Sequence, residues 1–190
     1  MKKSPASQLR IIGGQWRSRK LCFSPEPGLR PTTDRIRETL FNWLGPFLYG
    51  SRCLDLFAGS GALGLEALSR GAGNCVFIDR SSSVCRQIKT NLELLECRQG
   101  QVVEADALSW IKQQSNAPKP FDLVFVDPPF HRDLAEPACN ALESAGLITS
   151  GSIIYIETET EAQPDLPPYW TKHRQKQTGS LCYSLYRFEH

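Results

Sequence analysis

The sequence predicts an α/β protein whose mostly parallel sheet is closed by an antiparallel hairpin. From residue 52 onward, short apolar runs alternate with segments of helical periodicity, an order that covers a parallel sheet with helices on both faces. Two further segments near the end of the chain, residues 170–177 and 181–188, are joined by Thr178-Gly179-Ser180, which indicates a hairpin. A glycine-rich turn follows the first apolar run, at the position where sheets of this class bind their ligands.

The strands and helices of this part are predicted in a regular order. Strands are expected at residues 52–57, 75–79, 101–105, 121–126 and 152–157. Helices are expected at residues 61–70, 82–96, 107–114 and 133–145. The closing hairpin is expected to pair residues 170–177 with residues 181–188.

The first 50 residues follow a different pattern. The segments at residues 10–12 and 20–23, each a basic residue followed by apolar ones, flank Gly13-Gly14 and a basic stretch, which predicts a short hairpin. Thr32 or Thr33 can cap a helix that runs to about Leu44. We therefore expect a basic N-terminal hairpin and helix in residues 1–50, packed on a core formed by residues 51–190.

Bulk composition excludes several classes of protein. With 190 residues and 41% hydrophobic residues, one domain with a substantial core is expected. The sequence has neither an apolar run of about 18 residues nor the apolar region of a signal peptide at its start. The seven cysteines are scattered, without a C-x-x-C pair. We expect a cytoplasmic monomer with no membrane contact, no disulfide framework and no metal site.

Positive charge is concentrated at the N-terminus. Residues 1–37 carry nine Lys or Arg against two acids, whereas the remaining 153 residues carry thirteen against eighteen. A basic segment on an acidic body fits a polyanion that approaches from one side. The alternative interpretation is a solvated segment that aids solubility.

The glycine-rich turn has the spacing of a nucleotide-binding loop. Gly59, Gly61 and Gly64 match G-x-G-x-x-G, and Asp79 follows Gly59 by 20 residues at the end of the second predicted core strand. An acid there can bind ribose hydroxyls. The pattern fits any adenosine-bearing cofactor, and glycines that serve only the turn are the alternative.

Acids at the strand ends indicate which kind of adenosine-bearing cofactor fits the turn. Asp55 precedes the turn, where a pyrophosphate would gain nothing from a carboxylate, whereas the ammonium and sulfonium of S-adenosylmethionine favour an anion. Asp106, with Ala107 beside it, follows the third strand and can accept a hydrogen bond from an adenine amine; a plain helix N-cap is the alternative. With Asp127, four core strands end in an acid.

The segment Asp127-Pro128-Pro129-Phe130 directly follows the apolar run of residues 123–126. Two prolines stop both strand pairing and an immediate helix, so the loop is stiff. Asp127 and the Pro128 carbonyl can accept both hydrogen bonds of an amine on a nucleobase, while Phe130 can stack on the ring. The loop is therefore predicted to hold an extruded base for methyl transfer, with an ordinary tight turn as the alternative.

These motifs resemble the class I, Rossmann-like methyltransferases, and more narrowly the bacterial 16S rRNA (guanine966-N2)-methyltransferases. The resemblance rests on residues 10–17, 29–41, 54–71 and 124–130. It implies a seven-stranded sheet and transfer of a methyl group from S-adenosyl-L-methionine to N2 of one guanine. It also implies a 16S rRNA substrate within an assembled or nearly assembled 30S subunit, with S-adenosyl-L-homocysteine as the product.

The resemblance also implies roles for individual residues. Asp55, Gly59 and Gly61 would line the methionine end of the cofactor, Asp79 the ribose, Asp106 and Ala107 the adenine, and Asp127, Pro128 and Phe130 the guanine. Related enzymes often carry Glu at the ribose position, which here is Asp79. Phosphate contacts are implied for Arg10, Arg17, Arg19 and Lys20.

Three other functions are compatible with parts of the pattern. Adenine offers the same kind of amine to the same loop, so a DNA adenine-N6 methyltransferase is one of them, although 190 residues leave no separate target-recognition domain. Glutamine methylation uses a similar loop, often with Asn in place of Asp127. A non-catalytic ribosome-assembly factor that retains the fold is the third.

Overall fold

A computed structural model describes residues 7–23, 33–114, 119–162 and 164–190. The strands are β1 (Ser7–Arg10), β2 (Lys20–Phe23), β3 (Arg52–Asp55), β4 (Asn74–Asp79), β5 (Gly100–Glu104), β6 (Leu123–Val126), β7 (Ile153–Glu159), β8 (Trp170–Thr178) and β9 (Leu181–Phe188). The helices are α1 (Asp34–Leu48), α2 (Ala62–Ser69), α3 (Ser82–Leu94), α4 (Ala107–Gln113) and α5 (Ala135–Ser144). Within these ranges, no helix combines the length and apolar character needed to cross a bilayer.

The main sheet has seven strands in the order β5-β4-β3-β6-β7-β9-β8. The first five are parallel, whereas β9 runs antiparallel to both β7 and β8. The predicted α/β fold is therefore confirmed, and the core strands and helices end within two residues of their predicted bounds. The chain moves outward from β3 to β5 and then returns to β6, so a crevice is expected above β3 and β6.

Helices cover both faces of the sheet, as the alternating pattern predicts. One apolar cluster joins α1, α2, α3 and the N-terminal hairpin to one face, and a second joins α4 and α5 to the other. The fit of α2 against the sheet depends on Gly64, where a Cβ atom would lie 2.2 Å from Cε1 of Phe77. This third glycine of the motif therefore serves helix packing.

The N-terminal hairpin differs in register from its prediction. Strand β1 ends at Arg10 and pairs with Lys20, whereas the sequence placed the strand at residues 10–12. The reason is the buried carboxylate of Glu66, which accepts hydrogen bonds from Ile12 N (2.9 Å) and Gly13 N (2.8 Å). These two amides are thus bound to α2 and do not extend the strand.

Helix α1 is longer than predicted. Thr33 caps it, as one of the two predicted threonines, because its Oγ1 accepts a hydrogen bond from Ile36 N (3.4 Å); Thr32 lies outside the described residues. The helix passes its predicted end at Leu44 and continues through Pro46 to Leu48. Packing offsets the missing proline N–H, since Leu48 is buried and the Trp43 ring lies 5.5 Å from that of Tyr183.

Candidate active site

A cavity of about 210 Å³ opens at the carboxyl ends of the parallel strands. It lies at the crevice above β3 and β6, which is where the strand order reverses. Of the residues predicted to bind cofactor or base, those that line it are Asp55, Gly59, Asp79, Asp106, Ala107, Asp127, Pro128 and Phe130. The structure therefore brings eight sequence-predicted residues from four strand ends into one cavity.

Asp55 is the most deeply buried acid of the cavity. It ends β3, is 1% exposed, and its Oδ2 accepts a hydrogen bond of 3.0 Å from Gly64 N in the first turn of α2. Burial raises the pKa of Asp55 to about 7, and the nearby Asp79 carboxylate adds to the rise, while the Gly64 N–H opposes it. A cation bound beside Asp55 would stabilise its charged form, so the site fits an ammonium or sulfonium group.

Asp79 fixes the shape of the glycine turn. Its Oδ2 accepts a hydrogen bond from Gly59 N (2.9 Å), and its Oδ1 accepts one from Ser81 N (2.8 Å). Gly59 and Gly61 both have positive φ angles, of 50° and 76°, which explains the need for glycine. Gly61 is not among the cavity-lining residues: its missing Cβ would face Leu65 and contribute nothing to the cavity wall.

Asp106 combines two of the roles considered from the sequence. Its side chain caps α4, because Oδ1 accepts a hydrogen bond from Ser109 N (2.9 Å), and the residue also lines the cavity with Ala107. The bond from Ser109 lowers the pKa of Asp106, so its carboxylate is charged at neutral pH. A carboxylate has about four acceptor sites, so a cap of this kind leaves capacity for a ligand.

The loop after β6 presents its groups to the same cavity. Asp127 and Phe130 are half-buried, Pro128 is buried, and the Phe130 ring packs against the apolar cluster on the α1 side. The far end of the loop is attached to β7, because His131 N donates a hydrogen bond to the Glu159 carboxylate. The loop is therefore held at both ends, at β6 and at β7.

A fifth acid, Glu157, lines the cavity and was not among the predicted site residues. It lies in β7, is 4% exposed, and its Oε2 accepts a hydrogen bond of 2.7 Å from the Tyr155 hydroxyl. Burial first, and then the Glu157 and Asp127 carboxylates, raise the pKa of Tyr155 well above its usual value, so this hydroxyl stays protonated. The signal was present in the sequence, since the strand predicted at residues 152–157 also ends in an acid.

The predicted phosphate-binding residues do not surround the cavity. Arg10 forms an ion pair with Asp34 (2.7 Å), and its side chain remains 58% exposed. The turn that carries Arg17 rests on the C-terminal end of α2, where Gln15 N donates to Ser69 O (2.7 Å). Arg19 donates to Leu94 O (3.3 Å) at the end of α3. Both helices begin beside the cavity, and Arg17 and Arg19 lie at their far ends. Arg17 and Arg19 therefore lie toward the amino ends of the parallel strands, opposite the cavity.

Other basic residues lie on the cavity side. Arg80 lines the cavity itself. Strand β8 is the last strand at one side of the sheet, and its exposed side chains include Lys176, whereas Lys172 lies level with Ile154 near the amino end of β7, away from the cavity. Lys176 pairs with Tyr183, which pairs with Glu157, so Lys176 lies two strand spacings, about 10 Å, from a cavity residue. The charge pattern of the first 37 residues gave no indication of this basic edge.

Residues 9–187 match the family model described as conserved hypothetical protein 95. A curated relative, ribosomal RNA small subunit methyltransferase D of Escherichia coli K12, is 49% identical over 187 residues, which are 98% of this chain and 93% of the relative. The protein of the same name from Haemophilus influenzae is 46% identical over 182 residues, covering 95% of this chain and 94% of that protein.

Solved structures give the same result for the fold. A putative methyltransferase from Escherichia coli, yhhF, superposes with a TM-score of 0.87 at 45% identity, covering 97% of this chain and 99% of that one. The 16S rRNA N2 G1207 methyltransferase of Thermus thermophilus, solved with AdoMet and guanosine, has a TM-score of 0.68 at 20% identity. The superposition covers 97% of this chain and 50% of the Thermus chain, and the two proteins share the fold.

Proposed function

The chain belongs to the family described as conserved hypothetical protein 95, and from that premise and the geometry of the cavity we propose that it methylates the exocyclic N2 of one guanine of 16S rRNA. The observation that carries the proposal is the meeting of Asp55, Asp79 and Asp106 with the Asp127–Phe130 loop in one cavity. The near-full-length similarity to enzymes named ribosomal RNA small subunit methyltransferase D supports it.

We assign the β3–β5 side of the cavity to S-adenosylmethionine. Asp55 faces its cationic methionine end, Asp79 its ribose, and Asp106 with Ala107 its adenine, while Gly59 permits close approach of the backbone. Gly61 acts by shaping the turn, because a Cβ atom at this position would point at Leu65 and not into the cavity. When bound there, the cofactor supplies a methyl group on a positively charged sulfur.

The Asp127 loop acts on the guanine. The Asp127 carboxylate and the Pro128 carbonyl accept the two N–H bonds of the exocyclic amine, which directs the nitrogen lone pair toward the methyl group. The guanine nitrogen forms a bond to the methyl carbon as the S–CH3 bond breaks. The electron pair of the S–CH3 bond stays on sulfur, which gives S-adenosylhomocysteine. The methylated nitrogen then loses a proton to Asp127 or to water.

Orientation accounts for most of the rate enhancement in this scheme. Holding both reactants in line can contribute roughly 7–11 kcal/mol. Phe130 stacks on the base, which contributes about 1–3 kcal/mol by comparison with single-strand binding proteins. The base has to be unstacked to enter the cavity, at a cost of a few kcal/mol, so an already unpaired guanine is the expected target.

The substrate is proposed to be 16S rRNA in an assembled or nearly assembled 30S subunit, met by a monomer in the cytoplasm. Because Arg17, Arg19 and Lys20 are exposed and lie away from the cavity, a particle-sized substrate is needed for them to contact phosphate while the cavity holds the base. Residues 1–50 would thus form an RNA-facing extension of the catalytic core.

Deletion of the gene tests the proposed function in the cell. We expect nucleoside analysis of 16S rRNA to show the loss of one N2-methylguanine, restored by a plasmid copy of the wild-type gene. An unchanged nucleoside profile would contradict the proposal. Loss of N6-methyladenine from DNA would instead identify a DNA methyltransferase.

A further inference from the structure

Asp127 and Glu157 occupy equivalent positions on neighbouring strands. Strand β6 pairs with β7 so that Val126 is opposite Ile156, and the next residue of each chain segment is an acid that lines the cavity. One strand spacing of about 4.8 Å therefore separates their backbones. Two carboxylates thus face one cavity side by side.

The position of Glu157 in the sheet assigns it to the base and not to the cofactor. The strands with the glycine turn and its acids, β3 to β5, form one half of the parallel sheet, whereas β6 and β7 follow on the other side. Glu157 is thus separated from the glycine turn by the Asp127 loop. Its carboxylate accepts a hydrogen bond from the Tyr155 hydroxyl, and a carboxylate has about four acceptor sites in all.

Guanine and adenine differ in what they present beside the amine. On guanine, the ring N1–H is a donor directly adjacent to the exocyclic N2 amine. On adenine, ring N1 beside the N6 amine is an acceptor. A second carboxylate next to the one that binds the amine therefore suits guanine, and it would place two acceptors against each other with adenine.

On these grounds we propose that Glu157 is a specificity-determining residue that accepts a hydrogen bond from guanine N1–H while Asp127 binds the N2 amine. The inference rests on the proposed function and deepens it, because the Asp127 loop alone suits any amine-bearing base. Asp127 and Glu157 together read two adjacent donors of the Watson–Crick edge of an extruded base. Tyr155 acts as a positioning residue for the Glu157 carboxylate.

The test uses a base that keeps the amine but lacks the N1 proton. 2-Aminopurine retains the exocyclic 2-amino group, and its ring N1 is an acceptor. We compare kcat/KM on 30S particles reconstituted with 16S rRNA that carries either guanine or 2-aminopurine at the target position. Wild-type protein is expected to prefer guanine by roughly 10- to 150-fold, the range for a hydrogen bond to a charged group.

Glu157→Gln removes the charge and adds an amide N–H that can donate to ring N1. The preference for guanine over 2-aminopurine is expected to fall at least tenfold, whereas the affinity for S-adenosylmethionine, measured by calorimetry, stays within about twofold. Glu161→Gln, on the exposed turn after β7, is the matched control and should keep the wild-type preference. If Glu157→Gln does not fold, Glu157→Asp, which withdraws the carboxylate by one methylene, gives the same comparison.

The outcomes separate this inference from the proposed function. Equal loss of activity on both bases, with the preference unchanged, would show a purely structural role and overturn the assignment of Glu157. Failure of the wild-type protein to methylate guanine in the unmodified particle would overturn the proposed function itself. A reduced preference in Glu157→Gln alone supports the assignment.

Discussion

The Asp55 carboxylate accepts a hydrogen bond of 3.0 Å from Gly64 N, which ties the end of β3 to the first turn of α2. A buried carboxylate at a helix N-terminus would ordinarily be stabilised in its charged form. Here the effect of burial on the pKa is larger than that of the Gly64 N–H at the helix N-terminus, and the pKa of Asp55 rises to about 7. The protein therefore holds a carboxylate whose charge depends on a cation in the cavity.

This predicts a pH-dependent affinity for S-adenosylmethionine. Because the cationic ligand favours charged Asp55, affinity is expected to fall by up to about tenfold per pH unit as pH drops below 7. Asp55→Asn should have lower affinity at pH 8 and a flat profile. Calorimetric titrations between pH 5.5 and 8.5 give the measurement; a wild-type affinity that is constant over this range would contradict the assignment.

The same group makes a second prediction, for stability without ligand. A carboxyl whose folded-state pKa is raised contributes stability at low pH that is lost as pH rises through about 7. The free energy of unfolding of the wild-type protein should therefore decline relative to Asp55→Asn between about pH 4 and pH 7. Denaturant unfolding at both pH values measures it, with Asp122→Asn as the control for an exposed acid.

Asp127→Ala is expected to abolish methyl transfer and leave the affinity for S-adenosylmethionine nearly intact. The reason is that Asp127 acts on the amine of the base, on the β6 side of the cavity. Single-turnover transfer with labelled cofactor gives the activity, and calorimetry gives the affinity. Asp122→Ala, at the other end of the same strand, should keep full activity; normal transfer by Asp127→Ala would overturn the mechanism.

Glu66→Ala is expected to destabilise the protein by about 3–5 kcal/mol. The buried Glu66 carboxylate accepts hydrogen bonds from two N-terminal amides and pairs with Arg70 (2.7 Å) and Arg37 (3.5 Å). Arg37 is itself 1% exposed, so the substitution removes its buried carboxylate partner and leaves it only the partly exposed Asp34 (2.6 Å) as an ion-pair partner. Denaturant unfolding measures the change. Exposed Glu38→Ala is the control, and a loss below 1 kcal/mol from Glu66→Ala would argue against the network.

Substrate size should decide whether Arg17 matters. Helix α2 has eight residues and spans about 12 Å, so Arg17 at its far end is out of reach of an RNA that fills only the cavity mouth. Arg17→Ala is expected to reduce the slope of log affinity against log salt by about 0.7–0.9 for 30S particles and to leave it unchanged for a short RNA hairpin. Lys176→Ala should reduce the slope for both substrates. An unchanged slope with Arg17→Ala on particles would remove it from the RNA surface; Lys112→Ala is the control.

Much of the fold and the cavity follows from local patterns. Alternating strands and helices, the glycine turn and an acid at each strand end all report on positions that the parallel sheet brings to one edge. Residues such as Asp55 and Asp127 were predictable because strand order alone places them together. Glu157 obeys the same rule, but its neighbours carry no motif that marks it.

Long-range contacts were not predictable in this way. The register of β1 depends on Glu66, which lies 54 residues from Ile12 and is buried only once α2 has packed. Likewise, the sequence does not indicate that Arg10 has a partner, but its ion pair with Asp34 joins the hairpin to the start of α1. The location of Arg17 at the far end of α2 is a tertiary contact of the same kind.

The most direct test of the central claim is methylation of undermethylated 30S particles by the purified protein. The particles are incubated with methyl-labelled S-adenosylmethionine, and the modified nucleotide is mapped and identified by mass spectrometry. We predict one labelled N2-methylguanine in 16S rRNA, absent with Asp127→Ala. Unlabelled 16S rRNA, or label on adenine N6 of duplex DNA supplied in the same reaction, would contradict the account.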